Sequence, residues 1–231
     1  MSTAPFVLVP GHWLGGWSWD RVTPGLVAAG HRVTAVTLPG LESAESDRSR
    51  VRLADHIAAL ADIVAREGRD TVLVAHSGAG KVVTGVLDQD PDSVARVVYV
   101  DSGPSSPGDA TELPPELVEL VLPPFDQLQA SLDGLTPSDL QEFRDRSRPH
   151  PAGPVRDPLT VGDPRRRTIP STIVSCSFPS STVAELAAAG HPMFAEVARL
   201  DDLRYVDLPT GHWPMWSRPR DLAEALLAAV G

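Results

Sequence analysis

Cysteine is almost absent from this chain. Cys176 is the only one among 231 residues, which excludes an intramolecular disulfide and the stapled frameworks of small secreted domains. It closes Ile173-Val174-Ser175-Cys176, a run that reads as a buried strand, so its thiol is expected to pack as a small apolar group. No run of 18 apolar residues occurs, so no segment has the length of a membrane-spanning helix. The first residues lack the basic, then apolar, then small-residue order of a secretory leader, and a cytoplasmic location is the expectation. Basic residues are outnumbered, 20 against 30 acidic, for a formal net charge of −10. That balance opposes nucleic acid and anionic membrane as partners. A small molecule is the expected partner, bound by a monomer or homodimer.

What is present suffices for a real core: 42% of the residues are hydrophobic. Short apolar runs at 6–9, 32–37, 71–74, 94–100, 169–175 and 203–208 read as strands. Helical patterns lie between them, at about 17–29, 53–64, 81–88, 182–189, 193–200 and 220–230. This alternation predicts an α/β protein built on a mostly parallel, doubly wound sheet of about six strands. Ligands in such sheets sit at the carboxyl ends of the strands. From Pro104 to Thr168 the character changes, with 12 of the 23 prolines and no strong strand. Two helices are expected there, Pro114–Leu122 and one opened by Thr136-Pro137-Ser138-Asp139, where Thr caps and Pro takes the first position. Residues 104–168 are therefore read as a helical cap inserted into a core of 1–103 and 169–231. Leu117, Leu120, Phe125, Leu128 and Phe143 are candidates to line a pocket under it, although each singly reads as fastening the cap to the core. Arg165-Arg166-Arg167 reads as an exposed basic run closing it.

The informative stretch is Ala75-His76-Ser77-Gly78-Ala79-Gly80, between a strand and a helix. A serine at a sharp strand-to-helix bend, with small residues two positions away on each side, reads as a nucleophile elbow. Alanines stand at 75 and 79 where glycines are usual. The alternative, a phosphate loop, needs glycine at 75 and Ser or Thr at 82, where the chain has Ala75 and Val82. A serine hydroxyl needs a base to take its proton. Of the seven histidines, His212 lies in the loop after the last strand and is the expected base. His76 points away from an elbow serine and reads as packing. His12, His31, His56, His150 and His191 read as surface or structural. The backbone N–H groups of Gly78 and His12 are the expected oxyanion donors. Gly11, Gly15 and Gly16 do not have the spacing of a dinucleotide loop.

These segments, with Gly11-His12-Trp13-Leu14-Gly15-Gly16-Trp17-Ser18-Trp19 and Gly211-His212-Trp213-Pro214-Met215, resemble the small α/β-hydrolases that include plant methylesterases and hydroxynitrile lyases. The first loop departs from that group, reading Pro10-Gly11 in place of His-Gly. The resemblance implies the α/β-hydrolase fold and Ser-His-Asp hydrolysis of a small ester or lactone under a cap, with no cofactor and no metal. It also implies an acid after the strand that ends at Ser175. The stretch there, Cys176-Ser177-Phe178-Pro179-Ser180-Ser181, has no carboxylate. Asp101, at the end of the strand beside the elbow strand, is the expected substitute, because triads are defined by geometry and not by position. Asp followed by Ser-Gly-Pro is also good turn chemistry. Asp201, Asp202 and Asp207 are weaker candidates. All five tryptophans fall in two stretches flanking the elbow's partners. Trp13 and Trp213 are the expected pocket walls, and Trp17 and Trp19 read as packing. A lyase of the same fold, or a ligand-binding protein without its acid, are the alternative functions.

Overall fold

The computed structural model describes residues 4–230. Six parallel strands form the central sheet: β1 (Phe6–Val9), β2 (Val33–Ala35), β3 (Val72–His76), β4 (Arg96–Val100), β7 (Ser171–Ser175) and β8 (Leu203–Asp207). Their order is β2-β1-β3-β4-β7-β8. β1, β3, β4 and β7 are buried on both faces, which is why they read as continuous apolar runs and not as alternating ones. The chain starts in the middle of the sheet, steps outward to β2, then returns past β1 to β3. The loops after β1 and β3 thus diverge to opposite faces, and the crevice between them is the topological switch point.

Helices cover both faces. α2 (Leu53–Glu67) and α3 (Ala79–Gln89) pack on one side, where Ile57, Leu60, Val64, Val83 and Val86 join the core. α6 (Ser180–Ala188) belongs to the same layer through Val183 and Ala187. On the other side lie α1 (Thr23–Ala28), the short α7 (Pro214–Ser217) and α8 (Pro219–Ala228), with Leu26, Trp216, Leu222 and Leu226 buried. The predicted helix at 17–29 is broken in two. A 3₁₀ turn covers Gly16–Trp19, and α1 starts afresh with Pro24 in its first turn, because Pro24 has no N–H to continue a ladder. The patch at 193–200 is likewise two 3₁₀ turns, Pro192–Phe194 and Val197–Arg199.

Within 104–168, α4 (Pro137–Arg146) starts as expected, with a reciprocal cap between Thr136 and Asp139. The helix expected at 114–122 does not form. That stretch turns at Pro115-Glu116 and then forms β5 (Glu119–Leu120), antiparallel to β6 (His150–Pro151), which runs into α5 (Ala152–Arg156). Prolines at 114, 115, 123 and 124 pin both ends, and distant donors take carbonyls that a helix would use. Arg156 binds the carbonyls of Pro114 and Leu117, the Ala152 amide binds that of Val118, and the Trp13 indole binds that of Leu120. Phe143 is fully buried, and Phe125 and Leu128 pack on its layer, so they fasten the segment to the sheet. The basic run is not uniformly exposed: Arg166 is buried, paired with Glu196 at 2.9 Å and Asp88 at 3.3 Å.

Candidate active site

Among the described residues only three non-glycines have positive φ: Trp13 at 65°, Ser77 at 53° and Asp101 at 43°. Each lies in the loop or bend that follows a central strand, β1, β3 or β4 respectively. Left-handed backbone costs an L-residue about 1–3 kcal/mol and persists where the surroundings enforce it. At Ser77 the surroundings are close indeed. A Cβ on Gly80 would come within 2.2 Å of the Gly103 carbonyl oxygen, and one on Gly78 within 2.3 Å of the His12 ring. Ala75 and Ala79 are fully or almost fully buried at ordinary φ, so the bend tolerates alanine there; it demands glycine at 80, where the clash is with backbone, while a Cβ at 78 would have to displace the His12 ring.

Ser77, His212 and Asp101 are brought together. His212 Nε2 lies 2.8 Å from Ser77 Oγ, and His212 Nδ1 lies 2.5 Å from Asp101 Oδ2. With Nδ1–H donating to the carboxylate, Nε2 is left to accept the serine proton. Asp101 is held on every side. Its Oδ1 accepts from the amides of Cys176, at 3.1 Å, and Ser177, at 2.9 Å; its Oδ2 also accepts from Ser177 Oγ at 2.6 Å. Burial raises the carboxyl pKa, but His212 and the Ser177 donors outweigh it and hold Asp101 down to about 2. The stretch after β7 that has no acid thus supplies the donors that fix an acid arriving from β4. Asp207 is engaged elsewhere, with Ser180.

The loop after β1 places His12 against Gly78. Neither the His12 nor the Gly78 backbone N–H has a hydrogen-bond partner among the described residues, as oxyanion donors require. His76 does more than pack. Its Nε2–H donates to the His212 carbonyl at 2.7 Å and its Nδ1 accepts from the Gly11 amide at 3.3 Å. One neutral ring therefore ties the loop after β1 to the loop that carries His212. Nothing in the sequence separates this role from packing. Residues 104–168 brace the same loops. The His212 amide donates to the Ser131 carbonyl at 2.8 Å, and the Arg148 amide to the Trp13 carbonyl at 2.9 Å.

A cavity of about 870 Å³ opens at Ser77 and His212, walled by Ile173, Phe178, Val183, Met193, Phe194 and Val197. Phe178 and Met193 stand at its rim, 58% and 72% exposed. Neither tryptophan expected in the wall lines it. Trp13 spends its indole N–H on the Leu120 carbonyl at 2.8 Å, and Trp213 is buried against Phe143. Trp17 stacks on Trp216 and carries Arg146 over its ring, while Trp19 is fully buried. Leu117, Leu120, Phe125, Leu128 and Phe143 are also absent from the wall. Among the described residues no His, Cys, Asp and Glu group is arranged to hold a metal, and no helix is long and apolar enough to cross a membrane.

The buried rings make acid stability a direct test of this packing. Burial lowers the pKa of His56 and His150, and takes His76 to about 3. The unfolded chain titrates these rings near 6.5, so below that pH it binds protons that the folded chain refuses. Stability is complete above pH about 6.5 and falls as the pH drops, by up to about 1.4 kcal/mol per pH unit for each ring. Asp101 extends the loss below pH about 4, its own depressed pKa acting in the same direction. Urea midpoints should fall steadily from pH 6.5 to 4.5; a flat profile would show that the rings are not buried and neutral.

Comparison with known proteins agrees with this architecture. A family model described as "Alpha/beta hydrolase family" matches residues 6–225. The chain belongs to that family. A carbendazim hydrolyzing esterase of Nocardioides sp. is 33% identical over 249 residues, covering 99% of this chain and all of that one. Methylesterase 7 of Arabidopsis thaliana is 38% identical over 100 residues, 41% of this chain and 38% of its own length. Among solved structures, an extracellular alpha/beta-hydrolase from Paenibacillus superposes with a TM-score of 0.76 at 21% identity, covering 99% of both chains. The Arabidopsis methylesterase MES16 does so with a TM-score of 0.76 at 24% identity, over 98% of each.

Proposed function

We propose that this carboxylic ester hydrolase works through an acyl-enzyme on Ser77. His212 takes the Ser77 proton as Oγ attacks the acyl carbon. The oxyanion that forms is met by the backbone N–H groups of His12 and Gly78, and His212 then gives the proton to the leaving oxygen. A water activated by the same ring releases the acid. Asp101 orients His212 and stabilises its charged form. Residues 104–168 act as a cap over a core made of 1–103 and 169–231, and no cofactor takes part. The observation that carries this reading is the continuous chain of hydrogen bonds from Ser77 Oγ through His212 to Asp101. It also disfavours a binding protein that has lost its acid, because an acid is in hydrogen-bond contact with the base.

A fluorophosphonate probe and p-nitrophenyl acetate test it together. Labelling mapped to Ser77, with turnover of the ester, is the expected result. A folded sample that is neither labelled nor active overturns the reading; labelling without turnover would favour the binding protein instead. Carbendazim belongs in the first substrate panel, since a relative that covers 99% of this chain is named for hydrolysing it.

A further inference from the structure

A second cavity, of about 140 Å³, also reaches Ser77. The two cavities divide the machinery between them. His212 lines the larger one; His12 and Gly78 line the smaller. If Ser77 acts as proposed above, the leaving oxygen must face His212 to receive its proton. The leaving group then occupies the larger, mostly apolar cavity, and the acyl substituent extends past the oxyanion donors into the smaller one. Its volume is about a sixth of the larger cavity's, which favours a short acyl chain there over a long one.

The wall of the small cavity is polar. His12, His56, His150 and Lys81 all line it. The His12 and His150 rings are 4.4 Å apart, and those of His150 and His56 5.7 Å. Burial lowers the pKa of all three rings, His12 to about 4, so they are neutral at pH 7. Lys81 is the only lysine in the chain. It leaves the first turn of α3 half-buried, and its Nζ donates to the carbonyls of Asp157 at 2.7 Å and Val155 at 3.2 Å. An ammonium has three donors. The third has no hydrogen-bond partner among the described residues, and the Asp109 and Asp157 carboxylates act on the ammonium only through space, with no ion pair. The Asp157 carboxylate is taken by Arg52 and the Leu53 amide; Asp109 lines both cavities without a side-chain hydrogen bond.

We propose that the small cavity is an acyl subsite for short acyl groups carrying a second acceptor oxygen, a ketone or a carboxylate, held by the free Lys81 donor. The substrate class is the ester of a short oxo acid or dicarboxylic acid with a bulky apolar alcohol. This inference rests on the serine-hydrolase reading above. The bond broken is acyl carbon to leaving oxygen, the bond formed is acyl carbon to Ser77 Oγ, and the serine proton passes through His212 to the alcohol.

Four esters of 1-naphthol test it: butanoate, 3-oxobutanoate, hemisuccinate and octanoate. The readout is the ratio of kcat/KM for each oxygenated ester to that for butanoate, which cancels changes common to both. Lys81→Met is expected to collapse at least one ratio by about tenfold, the range of a hydrogen bond to a charged group, and Lys81→Arg to restore part of it. Loss of the 3-oxobutanoate ratio assigns a ketone, loss of the hemisuccinate ratio a carboxylate. Ratios that survive Lys81→Met overturn the proposal, even if all rates fall together. So does octanoate outrunning butanoate in the unaltered enzyme. Turnover of p-nitrophenyl acetate with none of the four esters hydrolysed overturns the proposal; if that ester is not turned over either, the serine-hydrolase reading fails and the subsite is tested by itself in Ser77→Ala. There, 3-oxobutanoate or succinate, and not butanoate, should protect Lys81 from acetic anhydride, read by mass spectrometry; equal or absent protection overturns the proposal.

Discussion

Asp101→Asn should lower kcat on p-nitrophenyl acetate by about 10⁴, the scale of losing the orienting carboxylate of a triad. The size of the effect follows from which atom the substitution changes. Oδ1 accepts from two backbone amides, those of Cys176 and Ser177, and an asparagine keeps its oxygen there. The new NH₂ then occupies the place of Oδ2, 2.5 Å from His212 Nδ1. It can only donate, so Nδ1 becomes the acceptor and the ring proton moves to Nε2. A ring protonated at Nε2 cannot take the proton of Ser77. The fold should survive, because both backbone bonds remain, and a thermal melt close to that of the unaltered protein would confirm it. Ser177→Ala removes one of the four bonds to Asp101 without changing the tautomer, and its cost should be far smaller. A loss under tenfold in Asp101→Asn would mean that another group orients His212.

Asp101 also marks the limit of what the sequence discloses. The sheet, the bend at Ser77 and the late histidine were legible because each has a local signature. Fully buried strands give apolar runs, a bend gives small residues, and the last loop contains one histidine. The contact between Asp101 and His212 spans 111 positions and has no local signature. It had to be reached through the absence of a carboxylate at 176–181, and Asp-Ser-Gly-Pro gave an equally good account of Asp101 as a turn. The donors at Cys176 and Ser177 were invisible for the same reason, two of the three being backbone amides. The failures at 114–122 and at Trp13 share one cause. Local pattern favoured a helix and a pocket wall, but the Trp13 indole and the Leu120 carbonyl satisfy each other across 107 positions. Tertiary hydrogen bonds decided both. His76 shows the same limit: in the sequence, a ring with both nitrogens bonded to different loops cannot be told from one that merely fills space.

The strain at Ser77 leads to the other large effect. Ser77→Ala and Ser77→Gly both remove the proposed nucleophile, and each should lower kcat by about 10⁶, leaving what the proposed oxyanion donors and binding supply alone. Their stabilities should differ. Both lose the same hydrogen bond to His212, but alanine keeps a Cβ at φ 53° and glycine does not. The left-handed conformation costs an L-residue about 1–2 kcal/mol, offset in part by the greater freedom glycine has in the unfolded chain. Ser77→Gly is therefore expected to be more stable than Ser77→Ala by about 0.5–1 kcal/mol, measured as the separation of their urea curves at pH 7. Such an inversion of the usual alanine-over-glycine order would locate stored strain at Ser77 itself. The strain has a use: at positive φ at the end of β3, Ser77 presents its side chain to His212 and leaves the next amide, that of Gly78, unpaired. If the alanine variant proves the more stable, the bend is not strained, and the exposure of Ser77 Oγ must be owed instead to the packing of Gly80 against the Gly103 carbonyl.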